Sequence, residues 1–251
     1  MLRIRSLCLG AAAVAVLATA ASANPFDAPS TLPLQAPMFD KIKDTDYQPA
    51  FEEAMKQNLA EIAAIANNKA APTFDNTIVA MEKSGRMLDR VSETFFAVVQ
   101  ANTNDTLDKV QSAEAPKLAA HQDAIFLNPK LFARVKAVYD QRASLKLDPE
   151  SQQLLKVYYN QFIHAGANLS DADKAKLREL NKEDATLETQ FQQKLLAGTK
   201  AGALVVDNKA DLAGLSDAEI AAAQKAAADR KMPGKFVIPL QNTTQQPALS
   251  S

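Results

Sequence analysis

Apolar residues recur at Ile78, Met81, Leu88, Val91, Phe95 and Val98, in steps of three, seven, three, four and three. That spacing places them on one face of an α-helix. They lie in the stretch PTFDNTIVAMEKSGRMLDRVSETFFAVVQANTN, Pro72 to Asn104. Asp75, Asn76 and Thr77 can each accept from the free N–H groups of a helix start, and Phe74 is placed to staple the first turn. Gly85 interrupts the pattern at a cost of about 1 kcal/mol relative to Ala, which suggests close packing of a neighbouring helix there. At about 1.5 Å per residue, Thr77 to Ala101 predicts a central rod of roughly 37 Å.

Further helical stripes flank this one. Phe51, Met55, Leu59, Ile62 and Ala66 follow steps of four, four, three and four, predicting a helix over Tyr47 to Asn67 with Pro49 near its first turn. Glu52 and Glu53 read as first-turn acids favoured by the helix dipole rather than as an acid–base pair. Asn104 and Asp105 open a helix to about Phe126, in which Pro116 should produce a kink or split. Asn128-Pro129 starts a helix carrying Leu131, Val135 and Val138. Asp148-Pro149-Glu150 starts another, with Leu154, Leu155, Tyr158, Phe162 and Ala165, and Gly166 as its stop. Ser170-Asp171-Ala172-Asp173 opens the longest pattern, with Leu177, Leu180, Leu187, Phe191 and Leu195 running to about Lys200.

The ends differ in character. Asn24 to Asp44 holds Pro25, Pro29, Pro33 and Pro37 and has no sustained period, so it reads as an extended arm. Its apolar residues Phe26, Leu32, Leu34, Met38 and Phe39 predict that it lies across the body. Ala203 to Val206 and Phe236 to Leu240 are β-prone, and between them Ser216-Asp217-Ala218-Glu219 is a capping box for an Ala-rich helix. The expected fold class is mostly α, an elongated multi-helix domain over 45–200 with an α+β appendage over 201–251. No internal repeat of fixed period suggests a solenoid.

Residues 1–23 read as an export leader. Arg3 and Arg5 precede a short apolar run from Leu7 to Leu17, and Ala21-Ser22-Ala23 is a small-x-small cleavage site. Cys8 is the one cysteine and lies inside that leader, so a mature chain has neither a disulfide nor a thiol nucleophile. Removing Arg3 and Arg5 leaves 26 basic against 29 acidic residues. No electrostatic footprint for nucleic acid exists, no membrane contact is expected after leader removal, and a periplasmic location follows. The charged run Lys174 to Asp184 reads as a solvated helix face.

Candidate chemistry is sparse. His121 and His164 are the only histidines, 43 positions apart, and neither has a second histidine one turn away. No G-x-S-x-G elbow and no phosphate loop occurs, and Lys200 in Gly198-Thr199-Lys200-Ala201-Gly202 reads as a helix C-terminal charge. Tyr158-Tyr159 reads as one core ring and one edge ring, and Glu183, Asp184 and Glu188 lack calcium-loop geometry. No residue is assigned a catalytic, cofactor-binding or metal role.

T-F-D-N-T-I, the M-E-K-S-G run, A-N-T-N and the late Q-N-T-T-Q-Q-P segment resemble the thimet oligopeptidase family of zinc metallopeptidases, above all its peptidyl-dipeptidase (dipeptidyl carboxypeptidase) branch. The resemblance covers nearly the whole chain after residue 24 and corresponds to the family's N-terminal region. It implies a helical wall of a deep channel that admits short peptides, with zinc held by H-E-x-x-H in the other half. That motif is absent from these 251 residues. The expectation is a truncated or fragmentary peptidase, binding no cofactor and inactive alone, whose partners are short peptides and a missing catalytic half. The alternative is a stand-alone periplasmic helical peptide-binding or interaction protein.

Overall fold

Side-chain caps decide where most of the helices begin. The computed structural model describes residues 24–241, 243–244, 246 and 249, so the leader read over 1–23 lies outside the described residues. Asn104 accepts from the N–H groups of Thr106 and Leu107 to start α4 (Asp105–Phe126), and Asn128 accepts from Lys130 and Leu131 to start α5 (Pro129–Asp140). Asp148 caps α6 (Pro149–His164) through the Ser151 N–H, and Ser170 caps α7 (Asp171–Ala201) through that of Asp173. Ser216 and Glu219 form the reciprocal box expected for α8 (Asp217–Asp229). The fold is mostly α, as the periodicities indicate.

The central rod is not continuous. Thr73, not Asp75–Thr77, is the cap, exchanging hydrogen bonds with Asn76 at the start of a wide π-type turn over Phe74–Val79. A single α-turn, α2 (Ala80–Glu82), follows, and the chain then reverses at Gly85 before α3 (Arg86–Asn102). Gly85 has φ +76°, and a Cβ there would lie 3.0 Å from the Asn58 amide of α1 (Tyr47–Ala66). The predicted close approach of a helix is real, but it ends the rod instead of crossing it. Pro116 does not split the helix: α4 runs through it as one element. Glu52 and Glu53 lie in the second turn of α1, where they pair with Lys117 and Lys56.

Two apolar clusters share α1. Tyr47, Phe51 and Met55 pack with Val91 and Phe95 of α3 and Leu107 of α4, the Phe51 and Phe95 rings edge to face at 5.3 Å. At the other end Ile62, Ile65 and Ala66 pack with Leu131 and Val135 of α5 and Leu155 and Phe162 of α6. Leu59, assigned to the buried stripe, is turned outward, and Asn58 occupies the inward place. Arg134, buried on α5, donates to the carbonyls of Asn68 and Ala70 at 2.9 and 3.0 Å and to Asn76 Oδ1 at 2.7 Å. It thereby clamps the connection from α1 to the π-type turn.

The arm is held at its two ends, by Phe26 near its start and, at its end, by Ile42, which packs on the same cluster, and Asp44, which accepts from Asn104. Phe26 is buried against Tyr47 and its carbonyl accepts from Arg90, whereas Leu32, Leu34 and Phe39 remain exposed. The long helix α7 also departs from expectation. Its inward face is polar and small: Asn181 donates to Asp123, Gln193 to the Asp108 carbonyl, and Thr189 is buried. Leu180, Leu187, Phe191 and Leu195 are 52, 54, 66 and 58% exposed. Beyond it, β1 (Leu204–Val206) pairs antiparallel with β2 (Phe236–Ile238), Val205 opposite Val237, and α8 packs on β2 around Leu212 and Ala223.

Arg134→Met should lower the unfolding free energy by about 3 kcal/mol, because charge-assisted bonds are lost and buried carbonyls are stranded. Gly85→Ala should cost about 1–2 kcal/mol through its left-handed backbone. Urea melts check both, and midpoints equal to the parent's would refute the clamp and the turn respectively.

Candidate functional site

Both histidines line one cleft. It has a volume of about 570 Å³ and opens between α1, α3, α4 and α6, beside the Ser84–Gly85 turn. Helical spacing explains the convergence: Asn58 and Ile62 are one turn apart on α1, His121 and Ile125 one turn apart on α4, and Tyr158, Gln161 and His164 follow one face of α6. Leu88 and Asp89 come from the start of α3, positioned by the Gly85 reversal. The Gly85 N–H itself donates to Glu61 at 2.7 Å, which fixes that turn against α1.

His121 is 4% exposed, with Nε2 2.8 Å from Asn58 Oδ1. With the amide oxygen accepting, Nε2 carries the proton and Nδ1 keeps a lone pair, and Nδ1 is buried without a partner. Burial holds the imidazole's pKa below its ordinary value, so the ring is neutral. Asp89 is shifted the other way: burial raises its carboxyl, while Arg86 and Arg90 oppose the shift and Glu93 and Glu82 add to it. The Tyr158 hydroxyl is driven far up, by burial first and then by the nearby Glu82 and Asp89. His164, in contrast, is exposed.

The cleft therefore offers an acceptor, the Asp89 carboxylate, over an apolar lining of Ile62, Met81, Leu88, Ile125 and Phe126, with the neutral His121 ring buried behind it. Such a surface binds N–H donors and apolar side chains. Its one serine, Ser84, donates to the Met81 carbonyl at 2.7 Å and so is not poised against a base. Zinc does not fit it: Nε2 of His121 is committed to Asn58, and among the described residues no group of three or more His, Cys, Asp or Glu could hold a metal ion.

The other residues singled out from sequence stay apart. Glu183, Asp184 and Glu188 are exposed along α7. Gly198 lies inside the last turns of α7 and Gly202 closes it, returning its N–H to the Gly198 carbonyl at 2.8 Å. Tyr158 and Tyr159 are both half-buried: Tyr158 lines the cleft, and Tyr159 stacks on Tyr139 with centroids 3.8 Å apart. Sequence reasoning passed over Asn58 and Asp89. For Asn58 a signal existed, a polar residue three after Met55 and four before Ile62 in an otherwise apolar line.

No family model matches the chain. Over 227 residues it is 52% identical to a dipeptidyl carboxypeptidase of Escherichia coli (strain K12), an alignment covering 90% of this chain and 33% of that protein. Over 230 residues it is 51% identical to a dipeptidyl carboxypeptidase of Salmonella typhimurium (strain LT2), covering 92% of this chain and 34% of the relative. The chain thus spans about a third of the length of the curated relatives it matches. The resemblance carried by T-F-D-N-T-I and the later motifs is borne out, and one region of a peptidase of this type is what the coverage fits.

Acidification should destabilise the fold through His121. The unfolded chain binds a proton near the ordinary pKa of about 6.5 while the folded chain resists it, so this contribution is full above that value and declines as the pH falls through it. Asp89, raised by burial, opposes the trend at lower pH, so the comparison must be with His121→Gln. Between pH 7 and 5 the parent's Tm should fall more steeply than the variant's. Parallel profiles would remove His121 as the source.

Proposed function

We propose that this chain is a helical wall of an exported peptidyl-dipeptidase, a zinc-dependent hydrolase that releases dipeptides from short peptides, and that the zinc-binding residues come from polypeptide other than these 251 residues. The observation that carries the reading is the identity of more than half over a third of the length of two dipeptidyl carboxypeptidases. It is supported by the absence of H-E-x-x-H from the sequence and by a cleft that sets the Asp89 carboxylate over an apolar lining. The wall's own contribution is to bind and orient: the Asp89 carboxylate as an acceptor for peptide N–H groups, beside apolar contacts for side chains. Bound zinc would polarise the scissile carbonyl and activate water. Export to the periplasm rests on the leader pattern at 1–23.

The purified chain should contain less than stoichiometric zinc by elemental analysis and release no dipeptides from short peptides. Stoichiometric zinc lost on His121→Gln, or dipeptide release by the chain alone, would overturn the division of labour.

A further inference from the structure

The apolar stripe of α7 is built like an interface. Leu180, Leu187, Phe191 and Leu195 follow steps of seven, four and four, so they share one side of the helix, and each is more than half exposed. The opposite side is already occupied by α4 through the Asn181–Asp123 and Gln193–Asp108 bonds. A solvated helix is expected to turn such a stripe inward. Here the polar side is inward, and an apolar stripe interrupted only by Asp184 faces out, on the order of a few hundred Å², as large as the biggest patches of ordinary monomers, which are often functional.

We propose that this stripe is the seam against which the polypeptide corresponding to the other two thirds of these dipeptidyl carboxypeptidases packs, meeting it with an apolar face. The proposal rests on the function proposed above. Two observations select this occupant. The relatives carry about twice as much further chain as the part matched here, which is enough to cover a 31-residue helix. A second copy fits poorly: antiparallel pairing about the stripe's midpoint sets Leu180 against Leu195 but Asp184 against Phe191, burying a carboxylate on a ring with no cation.

The test uses cysteine accessibility in a Cys8→Ser background, with Phe191→Cys or Leu187→Cys as probes and Lys225→Cys as an exposed control. Each is placed in the 251-residue chain and in a fusion of this chain to the unmatched two thirds of the Escherichia coli relative. The stripe probes should react with a maleimide as fast as the control in the chain alone and at least tenfold more slowly in the fusion. Equal reactivity in a fusion that binds zinc and releases dipeptides overturns the seam while leaving the functional reading intact. An inactive but folded fusion with protected probes retains the seam and counts against that reading. Protection in the chain alone that grows with concentration identifies a second copy and overturns the proposal. If the fusion does not fold, the two polypeptides are co-expressed: co-purification abolished by Phe191→Asp supports the seam, and its absence, or persistence in that variant, overturns it. Phe191→Asp should leave the helical circular dichroism of the chain unchanged.

Discussion

The hydrogen bond between Asn58 and His121 sits where the two apolar clusters on α1 meet, and the arrangement of the helices depends on it. On one side of it the helix buries Phe51 and Met55, on the other Ile62 and Ile65. A polar pair at that junction sets the rotation of α1 against α4, because an unmet amide in such a place costs more than a bond contributes. The same pair shapes the cleft. A φ of +76° and the crowding of Asn58 favour a glycine at 85, the glycine permits the reversal that starts α3, and the reversal brings Leu88 and Asp89 to the cleft wall.

Helix starts were legible because caps are local chemistry. Asn104, Asn128, Asp148, Ser170 and Ser216 each satisfy N–H groups within three residues, so no knowledge of the rest of the chain is needed to place them. The β-prone runs around Val205 and Val237 were legible for a similar reason, and they pair with each other. What failed was the reading of faces. Periodicity says that Leu180, Leu187, Phe191 and Leu195 are together, but not that they are inside. The same rule put Leu59 in the core, one residue away from the side chain that enters it. Pro116 and Gly85 show tertiary context deciding a backbone outcome: the proline is carried within a well-packed helix, and the glycine becomes a turn because α1 lies against it.

The cleft was only half legible. Two histidines far apart in sequence carry no signal that they share a cleft, since that depends on how α4 and α6 are packed. Their chemistry was clearer. A histidine whose Nε2 is held by an amide, whose Nδ1 is buried and whose ring is kept neutral does not gather a metal. The reading as a peptide-contacting wall, with hydrolysis performed elsewhere, joins that chemistry to the kinship with dipeptidyl carboxypeptidases.

The Arg134 clamp has a consequence for the durability of the molecule. Residues 67–73 form an exposed connection, the sort of place where a stray protease nicks a folded chain. Cleavage requires a segment to peel away and lie extended in the attacker's groove. Here the Asn68 and Ala70 carbonyls are pinned by a guanidinium anchored in the core, so peeling would first strand a buried cation. Resistance to digestion at this exposed bend then comes from a single arginine.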